Sequence, residues 1–253
     1  MIPEFSIHYI HQFLLYLHIA LGAVGLIVFW LPTLSKKGSR FHKKAGRIFV
    51  WTMLTISISG IIMSIMVLVD PVGGRAPDSN LSMAQSYDLK QQSREGSVFL
   101  LMLSILVFVT VRQSVLVLKV KSERHLLKIA RTLIPIGILL AAGIIVGIIG
   151  IIIVQPLFIV FSIISISTSY GALKYIFKKE LKEREWIIEH LGNIFATGIA
   201  TYTAFFAFGG RRFFSEVFGS GLQFVPWILP SVIGVAATIY LSKKYRKKYR
   251  IND

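Results

Sequence analysis

Histidine is the residue most able to do chemistry in this sequence, and three of the six histidines sit where a ligand could use them. His18 lies in an apolar stretch with Gly22 and Gly25 on its helical face. His42 belongs to the basic segment Arg40-Phe41-His42-Lys43-Lys44-Ala45-Gly46-Arg47. His190 opens a series with Asn193, Thr197 and Thr201, whose spacing of three, four and four residues places them on one helical face. A neutral imidazole has one donor and one acceptor, and in an apolar medium each needs a partner. Each of these histidines therefore makes a structural hydrogen bond or serves a ligand. The candidate ligand-binding set is His18, His42, His190, Asn193, Thr197 and Thr201, and the candidate metal ligands within it are His42 and His190. His125 is a weaker third ligand, and His8 and His11 read as interfacial residues. Glu189 is either a ligand or a counter-charge to Arg112, and Arg112 also reads as a cation reaching for the headgroups.

The chain has no cysteine, which excludes disulfides, thiol nucleophiles, iron–sulfur clusters and thiolate-held zinc or haem. No HExxH motif or acid–base pair points to an enzyme class. The candidate cofactors are haem or a metal ion held by imidazole. A retinal protein would need a lysine inside its last span, and residues 224–241 contain none.

Seven apolar stretches must position these side chains. A span takes roughly 20 apolar residues at ~1.5 Å each. Such stretches fall at 13–34, 48–69, 97–118, 132–154, 156–177, 187–208 and 224–241. Residues 132–177 are almost uninterruptedly apolar, about 69 Å as one helix and over twice a bilayer core, so the chain must turn back. Gln155-Pro156 is the only polar break, and proline suits the first turn of the next helix. The expected fold is a single all-α domain over 1–253, a polytopic membrane bundle of seven transmembrane helices.

Charge sets the orientation. Of 28 Lys and Arg residues, 22 fall in the first, third and fifth loops and the tail. Arg75, Lys90, Arg94, Arg211 and Arg212 are the five on the other face, and Arg112 lies within a span. Positive loops stay in the cytoplasm, so the N-terminus is expected outside and the C-terminus inside, in a bacterial plasma membrane. The net charge of +16 is thereby explained without nucleic acid as a partner. The expected partners are the lipid bilayer and, at the cytoplasmic face, anionic lipids. The basic tail at 243–250 either grips those lipids, at about 1 kcal/mol per charge, or only sets orientation. Residues 1–12 hold Glu4 and no Lys or Arg, unlike a signal peptide's basic start. The polar loop at 70–96 reads as a linker.

Depth separates the histidines. His18 lies outside the middle of its span and His190 inside the middle of its own, a difference of roughly 18 Å in straight helices. His18 and His190 therefore cannot be the two axial ligands of one haem, and His42 with His190 is the inner pair. The sixth span also carries a small-residue stripe, Gly192, Ala196, Ala200 and Ala204, and the fourth a GxxxG pair, Gly143 and Gly147. Both features predict close helix packing. The sixth helix is expected at the bundle centre, with its polar face toward a pocket. Trp30, Trp51, Trp186 and Trp227 fall near span ends, as interface anchors do.

Three segments resemble a bacterial family of predicted multi-pass membrane proteins of unknown function. They are His18-Ile19-Ala20-Leu21-Gly22, Phe41-His42-Lys43-Lys44-Ala45-Gly46-Arg47 and Glu185-Trp186-Ile187-Ile188-Glu189-His190-Leu191-Gly192, the last running on through Ala196-Thr197-Gly198 to Phe205. The resemblance implies that His18, His42 and His190 are family positions, and it carries no activity. Three functions remain open. One is a small-ligand, metal or haem-binding membrane protein with a histidine-lined pocket between the first, second and sixth spans. Another is a transporter or channel, and the third is a non-catalytic assembly or sensory factor.

Overall fold

The computed structural model describes residues 4–75, 81–210 and 225–251, which hold helices and no strand. The helices are α1 (Glu4–Leu34), α2 (Arg40–Val69), α3 (Pro71–Arg75), α4 (Met83–Val120), α5 (Ala130–Ile152), α6 (Pro156–Phe177), α7 (Glu185–Ala204) and α8 (Val225–Lys248). A short 3-10 turn, Arg124–Leu127, joins α4 to α5, and a π turn, Phe205–Gly209, ends α7. Residues 7–34 of α1, together with α2, α4, α5 and α6, are long and apolar enough to cross a membrane. Helix is the form such segments must take, because lipid offers the backbone no hydrogen-bond partners. By contrast, α7 carries Glu185, Glu189, His190 and Asn193 among its 20 residues, and α8 runs into the basic tail. Arg211, Arg212, residue 224 and the Trp227 side chain lie outside the described residues.

Apolar side chains cover the exterior as well as the core. Ser57, Ser59, Thr110, Gln113, Ser114, Ser165, Ser169 and Thr197 are buried, while Ile134, Ile138, Ile145, Ile148 and Ile152 along α5 are exposed. An apolar exterior of that extent belongs in lipid, where buried hydroxyls join helices that hydrophobicity alone would not.

The turn between α5 and α6 is tight, with Pro156 as the first residue of α6. Gly143 and Gly147 pack α5 on α6 as the GxxxG pair predicts: a Cβ on Gly143 would lie 3.0 Å from the Ser165 Cβ, and Gly147 faces Ser162. On α7 the stripe residue Ala200 is buried in the core. Gly192 has nothing within 4 Å of where a Cβ would sit, whereas Gly198 meets the Phe29 ring and Ile199 meets Gly234 of α8. Close approach to α7 is thus made at Gly198 and Gly234.

The segment 70–96 is not a linker. It contains α3 and the first two-fifths of α4, and residues 76–80 lie outside the described residues. Ser82 starts α4 with a capping box: its hydroxyl accepts the Gln85 N–H while the Gln85 side chain accepts the Ser82 N–H. Its Gln, Lys, Arg and Glu residues are good helix formers despite their polarity. At about 57 Å, α4 is nearly twice as long as a ~30 Å hydrocarbon core and projects beyond it. Its end packs on α3, which also touches α1 and α2.

Candidate functional site

The end of α1, the starts of α2 and α7 and the C-terminal part of α4 hold two of the imidazoles in defined settings. Helix α1 ends at Leu34, so the Pro32 carbonyl lies in its last turn without an intrahelical partner. His42, in the first turn of α2 and held there by the Ser39 cap, donates Nδ1–H to that carbonyl at 3.0 Å. The Lys37 ammonium reaches the same oxygen at 2.9 Å, and burial holds that ammonium below the ordinary lysine range. His190, in the second turn of α7, donates Nδ1–H to the Ser114 carbonyl of α4 at 2.9 Å. His42 and Lys37 are close enough to His190 for their charges to bear on it.

A carbonyl only accepts. Each of these two hydrogen bonds therefore fixes the proton on Nδ1 and leaves a lone pair on Nε2. Metal-binding histidines are oriented by this same arrangement, one ring nitrogen bonded to a carbonyl and the other turned to the metal.

His18 shows the same tautomer at another level. Its Nδ1 lies 2.9 Å from the Ser59 hydroxyl, whose own proton goes to the Ile56 carbonyl, so the imidazole is the donor. It sits at the crossing of α1, α2 and α4, 3.4 Å from where a Cβ on Gly60 would stand, and Ser104 of α4 also faces Gly60. Ser104 and Ser114 are ten residues apart on α4, about 15 Å. The structure thus leaves His18 at a different level of the bundle from His190.

Asn193, Thr197 and Thr201 hydrogen-bond to the protein's own groups. The Asn193 amide donates to Glu189 Oε1 at 3.0 Å and to the Glu189 carbonyl at 2.9 Å. The Thr197 hydroxyl lies 2.8 Å from Thr110 Oγ1 of α4, and Thr201 bonds to the Thr197 carbonyl and approaches Met53 Sδ of α2 at 3.5 Å. Their donors are taken up within the protein, so the polar face of α7 abuts α4 directly. Thr197 thus ties α7 to α4 about two turns of α7 beyond the His190–Ser114 bond, while Asn193 bonds within α7.

Sequence reasoning missed the partner side of this interface. Thr110, Gln113 and Ser114 stand at helical spacing of three and four inside a span, a signal as clear as the one on α7. It also could not find the Pro32 and Ser114 carbonyls, because a backbone acceptor leaves no mark in residue type. Gln113 is 2% exposed, and among the described residues neither its Nε2 nor the buried Tyr175 hydroxyl has a partner. Tyr175 of α6 is within electrostatic range of Glu189. Glu189 makes no ion pair with Arg112 among the described residues. Among the described residues, no three His, Asp or Glu side chains converge to hold a metal ion. The Trp30 indole donates to the Tyr202 hydroxyl at 2.6 Å, which in turn donates to the Leu26 carbonyl at 2.7 Å, tying α1 to α7. No protein family, curated protein or solved structure matches this chain.

Proposed function

We propose that this is a seven-span protein of a bacterial plasma membrane, N-terminus outside and C-terminus inside, that binds a small metal-centred ligand through His42 and His190. The ligand is a metal ion or haem, taken up by the Nε2 lone pairs at the inner ends of α1, α2 and α7. One observation carries this: both imidazoles commit Nδ1–H to main-chain carbonyls, at 3.0 Å and 2.9 Å, which readies Nε2 for an electron-pair acceptor. The two imidazoles are the chain's own donors, and any further ligand comes from the bound group or from water. Such a centre would supply Lewis acidity or one-electron chemistry, which imidazole lacks. The chain's residues set the tautomer, hold the rings and keep the site among packed helices. The resemblance to a bacterial membrane family supports the choice of His42 and His190.

An absorption spectrum and metal analysis of the detergent-purified protein test the proposal. A Soret band or stoichiometric metal, lost in His42→Ala and His190→Ala, is expected; absence of both in the native protein overturns it. Orientation has its own test, because a chain without cysteine accepts single labels. Met83→Cys should react with a membrane-impermeant maleimide from outside, and Lys121→Cys only after the membrane is opened. A transport function has one observation in its favour, a Tyr175 hydroxyl without a partner among the described residues and within electrostatic range of Glu189. Gradient-driven flux in proteoliposomes, abolished by Glu189→Gln, would establish it.

A further inference from the structure

We infer that the cleft between the α4–α5 and α6–α7 turns is a phosphate site for the headgroup of an anionic phospholipid of the inner leaflet. The cleft encloses about 250 Å³ and is lined by Ser122, Arg124, His125, Lys128 and Leu181. That is below the roughly 300–1,000 Å³ of pockets for drug-sized ligands and suits a small headgroup.

The lining carries two fixed cations, a hydroxyl and an imidazole, and no acidic side chain. Arg124 Nη2 donates to the Lys179 carbonyl at 2.6 Å, which ties the two turns together and holds the guanidinium in place. The remaining N–H groups of that planar fork match the oxygens of a phosphate. The Lys128 ammonium stands 5.4 Å from the Phe177 ring centroid, a contact that orients the charge without cancelling it.

The cleft's neighbours decide between a lipid and a free phosphate. Leu126, Ile129 and Phe177 are 48%, 51% and 53% exposed, and they sit where α5 begins and α6 ends. A soluble anion has no use for an apolar shelf beside its site. A phospholipid has, because its acyl chains must run down the bundle from the point where its phosphate is held. Basic pockets at the cytoplasmic ends of membrane helices hold lipid headgroups in this way. The inference rests on the proposed membrane orientation and is independent of the imidazole pair.

Native mass spectrometry of the full chain in detergent micelles tests it, with dioleoylphosphatidylglycerol, dioleoylphosphatidylcholine and inorganic phosphate as probes. One phosphatidylglycerol per chain should be retained, with little phosphatidylcholine. Arg124→Ala/Lys128→Ala should weaken retention about thirtyfold, at about fivefold per charge, and exposed Lys128→Ala alone about fivefold. Lys247→Ala/Lys248→Ala, in the tail, should change it less than twofold. Equal retention of the two lipids overturns the inference, as does displacement of phosphatidylglycerol by an equal concentration of inorganic phosphate. Loss confined to the tail variant overturns it too. Retention in micelles does not depend on orientation, so a wrong topology shows in the maleimide labelling and not here.

Discussion

The separate duties of the two nitrogens of His190 can be divided by substitution. Asparagine places an amide N–H close to the Nδ1 position and nothing at Nε2, whereas alanine removes both. Ser114 lies six residues before the end of α4, so its carbonyl keeps a helical N–H partner when the imidazole is gone. No acceptor is orphaned, and the loss is the net worth of one hydrogen bond between membrane helices, about 0.6 kcal/mol on average and up to about 1.7. With the packing of a half-buried ring added, His190→Ala should lower stability by about 1–2 kcal/mol. His190→Asn should stay within about 0.5 kcal/mol of the native protein, because the bond to Ser114 survives. Reversible unfolding in mixed micelles measures both. Bound metal or haem absorbance should fall at least tenfold in each variant, since each lacks the Nε2 lone pair. An asparagine variant that keeps its ligand would refute the role of Nε2. An alanine variant as stable as the asparagine one would refute the bond to Ser114.

Three further expectations concern the frame around that site. A double-mutant cycle between Thr110→Val and Thr197→Val should give a coupling of about 0.6 kcal/mol and no more than about 1.7 in the same unfolding assay, because the hydroxyls meet at 2.8 Å. Gly198→Ala would place a Cβ 2.6 Å from Phe29 Cε2, and that ring is boxed in by Phe49, Phe195 and Tyr202. A cost of about 1–3 kcal/mol is expected, with faster hydrogen exchange where α1 meets α7. At Glu185, burial pushes the carboxyl up, but the Lys178 ammonium at 2.6 Å and the Lys182 N–H at 3.0 Å outweigh it and hold it below the usual range. A depressed folded value stabilises above the unfolded carboxylate range and is lost as pH falls through the folded value. Acid titration of exchange in the α6–α7 turn should show that loss, and Glu185→Gln should flatten it.

The helices were legible where composition and helical form are tied by the solvent. The run at 132–177 could only fold back, and it does so at Pro156 with Gly143 and Gly147 on the facing helix. The histidines were legible as polar groups needing partners, and their separation along the helices followed from rise per residue. Two things were hidden. Residues 83–96 look like loop by polarity, yet Ser82 and Gln85 cap a helix there, because helix propensity and membrane solubility are different properties. The spacing of Asn193, Thr197 and Thr201 showed a shared face but not what it faces. The answer lay in Thr110 and Ser114, and only tertiary contact pairs the two helices.

That pairing also separates ligand binding from conduction. On α2, Met53 and Ile56 lie between the level of His42 and that of Ser59, which holds His18. On α4, Leu106 and Val107 lie between Ser114 and Ser104. All four apolar side chains are buried, Met53 and Leu106 completely. A route from His42 and His190 to His18 would have to pass these side chains and the bonded Thr110–Thr197 pair, over about 15 Å of α4. Binding at His42 and His190 requires no such passage. The site proposed at His42 and His190 needs only the groups beside it, the Lys37 ammonium and the Pro32 and Ser114 carbonyls.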